Sequence, residues 1–270
     1  MNKIGIFIPC YNVEKTIRKV FDSFSTETLA KVDEILVTDN LSKDTTLAIL
    51  KELQTTSKFF PKLVIIKNAM NYGLGGSQKI AYQYFIDHQF SHFMIIHGDN
   101  QGNANEIATF FFEVFNKSPD VDLILASRFH PMANTTQYSG MRRVGNHFFN
   151  FMTYLLTGHK MSDAGTGVMF IKTEILNQTP FLYLTNSFQF NPQLTILLFN
   201  IKNLKTEEVP LNWRDSEAGS NIKSLEYCWT LLKILIKYRV NKSILRKPNR
   251  QLFVGSVEDF QPKFVVDKRK

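Results

Sequence analysis

Short apolar runs alternate with longer amphipathic stretches along the first half of the chain. The apolar runs are rich in Ile, Leu and Val and predict buried strands at residues 4–8, 34–37, 62–66, 92–96 and 123–126. The stretches between them carry apolar residues at helical spacing and predict helices at residues 13–24, 45–54, 77–88 and 105–116. This alternation predicts an α/β fold with a mostly parallel central sheet and helices on both faces.

The loops that follow the predicted strands hold the polar residues of interest. Residues 9–12, 38–44, 69–76 and 97–102 are rich in Gly, Asn, Asp or Pro. In a parallel sheet such loops meet at the carboxyl edge, where α/β proteins bind their ligands. Turn formation alone explains this composition in any single loop. The case for a site therefore depends on the motifs that the loops carry.

Composition narrows the class of protein. Of 270 residues, 44% are hydrophobic and 21% are charged, which is typical of a globular chain and excludes general disorder. The two cysteines, Cys10 and Cys228, lie far apart in sequence and predict no disulfide framework. No apolar run reaches the ~18 residues of a membrane-spanning helix, and residues 4–8 are too short for a signal-peptide core. We therefore expect a soluble, cytoplasmic protein.

The net charge of +8 is concentrated near the C-terminus. Residues 1–222 hold 20 basic and 20 acidic side chains, whereas residues 223–270 hold 12 basic and 4 acidic ones. The change in composition divides the chain into a body of residues 1–223 and a basic helix and tail of residues 224–270. A neutral body with a basic tail predicts an electrostatic anchor, either to RNA or to an anionic membrane face.

Several segments carry a family resemblance when they are taken in order. They are IFIPCYNVEKTI, EILVTDNLSKDTT, NYGLGGSQKIAYQY, HGDNQGNANEI, ASRF, DAGTGVMFIKTEIL and EVPLNWRDSEAGSNIK. Over residues 3–223 they resemble the family-2 glycosyltransferases of the GT-A fold, and especially the dolichyl-phosphate mannosyltransferase and polyprenyl-phosphate sugar transferase subgroup. The resemblance implies a hexosyltransferase-type enzyme. It would move a sugar, with inversion, from a UDP- or GDP-linked donor to a polyprenyl phosphate or glycan acceptor.

The resemblance assigns donor binding to residues in these motifs. Asp39 matches the acidic residue that accepts hydrogen bonds from the base or ribose, although a turn or helix cap would also explain it. Gly73 and Gly75, with Gly76, let the backbone approach a diphosphate at a helix N-terminus. The full donor-binding set is Pro9, Tyr11, Asn12, Asp39, Asn40, Gly73, Gly75, Lys79, Gly98, Asp99 and Arg128.

The metal motif of the family departs from its pattern in this chain. Asp-x-Asp becomes His97-Gly98-Asp99. The resemblance implies a divalent cation, Mn²⁺ or Mg²⁺, at Asp99, and such an ion needs only one or two carboxylates besides phosphates and waters. Imidazole suits Mn²⁺ better than Mg²⁺. His97 is therefore either a second metal ligand or a structural residue.

The segment that usually holds the family's general base contains no carboxylate. It corresponds to residues 188–194, where Gln193 takes a position at which Glu is frequent. Asp163 is the remaining acidic candidate for a catalytic role, with a turn as the alternative. Arg214 matches a catalytic lid motif that includes Gly219 and Ser220. A phosphate acceptor needs no base, because its second pKa is about 6, so the missing carboxylate favours a lipid phosphate.

Three alternatives remain open. In the first, the enzyme transfers the sugar to a carbohydrate hydroxyl in cell-envelope polysaccharide assembly. In the second, the protein is a non-catalytic scaffold that binds sugar nucleotides. In the third, the protein binds RNA through its basic tail. The tail lacks interleaved aromatic residues, so we expect no nucleic-acid partner. The helix predicted at residues 225–240 either lies on the inner face of an anionic membrane or packs on the catalytic sheet.

Overall fold

The computed structural model describes residues 2–56, 58–59, 61–215, 224–253 and 260–268, with only the backbone for residues 224–227 and 250. Its described strands form one eight-stranded sheet, with the order β7-β5-β6-β4-β1-β2-β3-β8. The strands are β1 Ile4–Cys10, β2 Glu34–Asp39, β3 Leu63–Asn68, β4 His92–Ile95, β5 Leu123–Ser127, β6 Met169–Lys172, β7 Thr206–Pro210 and β8 Phe264–Lys268.

The centre of the sheet is parallel. Strand β1 pairs in parallel with β2 and β4, β2 pairs in parallel with β3, and β5 pairs in parallel with β7. Strand β6 runs antiparallel between β4 and β5, and β8 runs antiparallel to β3 at the edge. The predicted mostly parallel α/β sheet is confirmed, and all five predicted strands are present with small changes at their ends.

Helices cover both faces of the sheet. They are α1 Ile17–Ser23, α2 Thr26–Ala30, α3 Thr46–Thr55, α4 Gly73–Asp87, α5 Ala104–Lys117, α6 Gly140–Thr157, α7 Thr173–Leu176, α8 Phe190–Leu198 and α9 Ser224–Arg239. Successive side chains of a strand point to opposite faces. Phe7 accordingly joins the core beneath α4 and α8, while Ile6 and Ile8 join the core beneath α1, α3 and α5.

The C-terminal region contributes to this architecture. Helix α9 packs against α6 and buries Leu231, Leu235 and Tyr238 in the core. Among the described residues, the helix predicted at residues 225–240 therefore packs on another helix, α6, and not directly on the sheet. Strand β8 extends the sheet beyond β3, and the sequence pattern did not predict it. In the part of the chain that the structure describes, none of the helices has the length and apolar content for crossing a membrane.

Candidate functional site

Hydrogen bonds join the loops that follow β1, β2 and β4 at the carboxyl edge of the sheet. The backbone N–H of Asn12 donates to Ser42 Oγ at 3.0 Å, and the N–H of Lys43 donates back to Asn12 Oδ1 at 2.8 Å. The Thr16 hydroxyl donates to the carbonyl of Gly98 at 2.9 Å. The structure therefore brings together loops that the sequence separates by up to 82 residues.

Each of the four strand-end loops holds a residue in the left-handed backbone region. These residues are Asn12, Leu41, Gly73 and Asn100, with φ between 53° and 73°. Ordinary side chains pay roughly 1–2 kcal/mol for this conformation, whereas Gly and Asn tolerate it. Leu41 is the one residue of these four that is neither Gly nor Asn, and its side chain is exposed. Backbone strain gathered at one edge is typical of a functional site.

Asp39 lies opposite Cys10 where β2 pairs with the end of β1, and Asp99 follows β4, the neighbour of β1 on its other side. Asp39 is 1% exposed and accepts a hydrogen bond from the N–H of Ser42 at 3.3 Å. Asp99 is half-buried and accepts from the N–H of Gln101 at 3.2 Å. Burial, and then the charges of Asp39, Asp99 and Asp44, raise the pKa of the Cys10 thiol well above its usual value. Both carboxylates therefore lie within electrostatic reach of one buried group.

Gly98 allows the loop after β4 to pack on β1. A Cβ atom at this position would lie 3.0 Å from the carbonyl oxygen of Pro9 and 3.2 Å from Cys10 Sγ. A side chain at residue 98 would therefore crowd the end of β1. Tyr11 follows in the chain and is 37% exposed. Pro9, Tyr11 and Gly98 thus belong to the same edge as the two carboxylates.

Asn40 connects the loops after β2 and β3. Its Oδ1 accepts from Asn68 Nδ2 and from the N–H of Tyr72, both at 2.9 Å, and its Nδ2 donates to Asn71 Oδ1 at 2.7 Å. An Asp at this position could not make the last bond, because a carboxylate has no donor. Both polar atoms of the Asn40 amide are therefore used inside the protein. Its position places it beneath the site.

Helix α4 begins at Gly73, four residues before its predicted start. A Cβ atom at Gly73 would lie 2.3 Å from the carbonyl oxygen of Asn186, and one at Gly75 would lie 2.5 Å from that of Thr185. The N–H of Gly76 donates to the same Asn186 carbonyl at 3.3 Å. The glycines are therefore required by the close crossing of the backbone at residues 185 and 186. Their approach to a diphosphate stays a prediction.

Lys79, a member of the predicted donor-binding set, contacts the segment at residues 184–186. Its ammonium group donates to the carbonyl of Leu184 and to Asn186 Oδ1 at 2.7 Å, and it lies 4.8 Å from the centre of the Phe260 ring. Burial lowers the pKa of Lys79 to about 8. This ammonium group holds the segment at residues 184–186 against α4 and is not joined to the group around Asp99. The sequence pattern gave no sign of this burial.

Arg128 and Asp163 form a buried, bidentate ion pair. Arg128 Nε donates to Asp163 Oδ2 and Nη2 donates to Oδ1, both at 2.7 Å. The backbone N–H of Arg128 donates to Oδ2 as well. The Tyr138 hydroxyl, which the sequence analysis did not single out, accepts from Arg128 Nη1 at 3.1 Å. Both oxygens of Asp163 are thus engaged by a guanidinium.

Arg214 is joined to the loop that carries Asp99. Its guanidinium donates to the carbonyl of Asn100 at 3.1 and 3.2 Å. Its backbone N–H donates to the Gln101 carbonyl, and Gln101 Nε2 donates to the Arg214 carbonyl, both at 3.0 Å. Arg214 is therefore bound to the loop that contains Asp99. Gly219 and Ser220 lie outside the described residues.

The residues present fit a divalent cation, although they form no complete cage. Among the described residues, no group of three or more His, Cys, Asp and Glu side chains could hold a metal ion. The buried Nε2 of His97 finds no hydrogen-bond partner in this same part of the chain, and its ring meets that of Trp213 edge to face. One carboxylate and one unsatisfied nitrogen suit an ion whose other ligands are diphosphate oxygens and waters.

Comparison with known proteins identifies the family. A sequence profile described as glycosyl transferase family 2 matches residues 5–179. The chain belongs to glycosyl transferase family 2. One relative of this glycosyltransferase is the UDP-N-acetylglucosamine–dolichyl-phosphate N-acetylglucosaminyltransferase of Methanococcus voltae. The two sequences are 29% identical over 181 residues, and the alignment covers 61% of this chain and 67% of the relative. The chain is also 22% identical over 245 residues to an uncharacterized protein of Methanocaldococcus jannaschii, with 89% and 93% covered.

Solved structures support the same fold for this glycosyltransferase. Glucosyl-3-phosphoglycerate synthase from Mycobacterium tuberculosis, in complex with Mn²⁺, UDP and glucosyl-3-phosphoglycerate, aligns with a TM-score of 0.63 at 16% identity. The alignment covers 89% of this chain and 79% of the synthase. Staphylococcus aureus TarS aligns with a TM-score of 0.55 at 15% identity, covering 93% and 69%. The predicted GT-A fold is confirmed, and so is the family resemblance.

Leu41 offers a test of the strained loop. Leu41→Gly should stabilise the protein by about 0.5–1 kcal/mol, because relief of the left-handed strain exceeds the added flexibility of the unfolded chain. The measurement is thermal unfolding. Leu41→Ala is the matched control, since it removes the same exposed side chain and retains the strain. A Gly variant that melts no higher than the Ala variant would contradict this account.

Proposed function

We propose that this family-2 enzyme transfers a sugar from a UDP-linked donor to a polyprenyl-type lipid phosphate, with inversion at the anomeric carbon. The observation that carries the proposal is the arrangement of Asp39 and Asp99 around the end of β1, with Arg214 bound to the loop of Asp99. The dolichyl-phosphate relative supports the acceptor class. The UDP complexes of the structural neighbours support the nucleotide.

Asp39, Tyr11 and Asn12 form the proposed nucleoside end of the donor site. Asp39 is buried and keeps one carboxylate oxygen outside its turn bond with Ser42. It can accept hydrogen bonds from a ribose diol or a base edge, and both kinds of donor are present in a uridine nucleotide. Tyr11, which is exposed beside it, offers a ring surface to the base.

Asp99 and His97 form the proposed diphosphate end. Asp99 would hold the divalent cation, with His97 as the candidate second ligand, and the bound cation would stabilise the negative charge of the leaving diphosphate. The guanidinium of Arg214 is bound to the Asn100 carbonyl, and it would add a positive charge close to that diphosphate. As UDP leaves, these residues supply the electrostatic stabilisation that the departing oxygen needs.

The acceptor end favours a phosphate over a hydroxyl. A hydroxyl acceptor needs a general base. The segment at residues 188–194 contains no carboxylate, and Asp163 is held by Arg128 through both of its oxygens. A lipid phosphate is already an anion near neutral pH, since its second pKa is about 6. Its oxygen can attack the anomeric carbon from the face opposite UDP without losing a proton to the protein.

The direct test is a binding panel followed by turnover. Thermal shift should show stabilisation by UDP with Mn²⁺ that exceeds the effects of GDP, CDP and TDP. Purified enzyme with a labelled UDP-sugar should then convert polyprenyl phosphate to the sugar-linked lipid and release UDP. The matched acceptor is the same polyprenol without phosphate, which should remain unglycosylated. Transfer to the polyprenol, or to neither lipid with any donor that binds, would refute the proposed acceptor.

The role of His97 predicts a metal preference. If its Nε2 is a ligand, transfer should be faster with Mn²⁺ than with Mg²⁺, because imidazole is a better ligand for Mn²⁺. His97→Asp should move this preference towards Mg²⁺, and the thermal shift with UDP should follow the same order. His97→Asn serves as the control that removes the imidazole without adding charge. The same metal profile in all three proteins would leave His97 with a structural role only.

A further inference from the structure

Helix α6 has an apolar face that the described part of the protein does not cover. Six large apolar side chains on this helix are between 53% and 84% exposed: Met141, Val144, Phe148, Phe151, Tyr154 and Leu155. Soluble monomers rarely expose a contiguous apolar patch of this kind unless it meets a partner or a membrane. We refer to these six residues as the α6 face.

The spacing makes the α6 face one continuous stripe. Met141, Val144, Phe148, Phe151 and Leu155 follow one another at steps of three and four residues, so they lie along one side of an 18-residue helix. The opposite side is already occupied, because Phe149, Thr153 and Thr157 are buried against the rest of the protein. The helix therefore packs with one side and presents a second apolar side outward.

Basic residues occur on α6 and on the helix that packs against it. Helix α6 contains Arg142 and Arg143 and no acidic residue. The neighbouring helix α9 exposes Trp229 and Ile236, and Ile244 and Leu245 are exposed just beyond it. The exposed basic residues of this region are Lys233, Lys237, Arg239, Lys242, Arg246 and Lys247. No Asp or Glu occurs between residues 227 and 257.

This charge distribution decides between two occupants of the α6 face. A second copy of the chain would bring two basic surfaces together, and like charges across an interface oppose association. An anionic bilayer offers the complementary charge and an apolar layer beneath it. Aromatic side chains such as Phe151, Tyr154 and Trp229 suit that boundary. We propose that the α6 face inserts into the surface of an anionic membrane, with the basic residues of α9 and its following turn on the headgroups.

The α6 face is connected to the candidate active site through Asp215. Asp215 accepts from Arg142 Nη1 at 2.7 Å and from the N–H of Ser139 at 3.2 Å, at the start of the helix. It follows Arg214, which is bound to the loop of Asp99. Membrane insertion of α6 would therefore hold the carboxyl edge of the sheet near the headgroups. Only this link between the membrane surface and the active site rests on the proposed function, because a lipid phosphate acceptor would be presented at the carboxyl edge of the sheet.

Vesicle flotation tests the proposal with the full chain. Wild-type protein should float with vesicles containing phosphatidylglycerol and much less with pure phosphatidylcholine, and 1 M salt should weaken the binding. Phe148→Ser with Phe151→Ser should lower partitioning at least about tenfold through lost apolar burial. Lys233→Gln with Lys237→Gln should also lower it, by about tenfold.

Two matched controls isolate the surface. Lys51→Gln with Lys117→Gln removes the same charge from exposed positions on α3 and α5 and should bind as wild type does. Val265→Ser removes an exposed apolar side chain from β8 and should also bind normally. Retained thermal stabilisation by UDP and Mn²⁺ would establish that each variant is folded. This thermal stabilisation is measured without vesicles. A loss of donor binding can therefore be distinguished from a loss of membrane binding.

Two results would overturn the proposal. One is equal flotation of the wild type and the Phe148→Ser, Phe151→Ser variant. The other is a concentration-dependent dimer in analytical ultracentrifugation that this variant dissociates, because it would assign the α6 face to a second copy. Vesicle binding without transfer to polyprenyl phosphate would leave the membrane surface established and refute only the acceptor.

Discussion

Replacing Asp99 with Asn will reduce sugar transfer by about 10²-fold or more, the effect expected when ~3 kcal/mol of electrostatic stabilisation is lost. Asp99 is half-buried, and its Oδ1 accepts a hydrogen bond from the N–H of Gln101. The amide oxygen of Asn can accept the same bond, so the loop should keep its shape. What the variant loses is the negative charge that the proposed cation requires.

The loss at Asp99 should appear in both turnover and binding. Thermal stabilisation by UDP should no longer depend on Mn²⁺ in Asp99→Asn, whereas the melting temperature without ligand should stay close to that of the wild type. Asp87→Asn is the matched control, because Asp87 is an exposed carboxylate at the end of α4. If Asp99→Asn transferred sugar at the wild-type rate with every donor, the assignment of the metal site would have to be abandoned.

The parts of the fold that sequence predicted are those with a strong local signal. Strands β1 to β5 are continuous apolar runs, and α3 and α5 carry regular apolar spacing, so their periodicity alone places them. The start of α4 was predicted four residues too late. Three of its first four residues are glycines, which are poor helix formers. There the contact with residues 185 and 186 overrides local propensity.

Other features depend on contacts that no local pattern contains. Strand β8 carries the short sequence FVVDK and forms only by pairing with β3, nearly 200 residues earlier in the chain. The direction of the Lys79 ammonium is set by Leu184 and Asn186, more than 100 residues away. Asp39 ends β2 and Asp99 follows β4, which are the two neighbours of β1. Arg214 is bound to the loop of Asp99, while the roles of all three stay predictions from the motifs. Motif matching could not reveal that Asp163, the acidic candidate for a catalytic role, forms an ion pair with Arg128.

The pair of Arg128 and Asp163 should have a large effect on stability. The side chain of Asp163 is 0% exposed and that of Arg128 is 13% exposed, so water can replace neither partner readily. Removing one partner of a buried ion pair leaves an uncompensated charge and typically costs about 3–5 kcal/mol. We therefore expect Asp163→Ala to lower the melting temperature by roughly 6–20 °C.

A half-exposed pair in the same region gives the control. Arg142 and Asp215 lie 2.7 Å apart with about a third of each side chain in solvent. Because such pairs are worth about 1 kcal/mol or less, Asp215→Asn should shift the melting temperature far less than Asp163→Ala. A shift of equal size in the two variants would mean that the burial of Asp163 does not determine its contribution.

A double variant separates the two ways in which this pair can act. Arg128→Met combined with Asp163→Leu removes both charges and keeps apolar volume, and such replacements of buried pairs are often neutral for stability. We expect this variant to regain most of the melting temperature lost in Asp163→Ala. If Arg128 also contacts a substrate phosphate, transfer should remain low although the protein is again stable. Recovery of both stability and transfer would show that the pair is purely structural. Recovery of neither would mean that two hydrogen bonds, from Arg128 to Tyr138 and from the backbone N–H of Arg128 to Asp163, make the contribution assigned here to the charges.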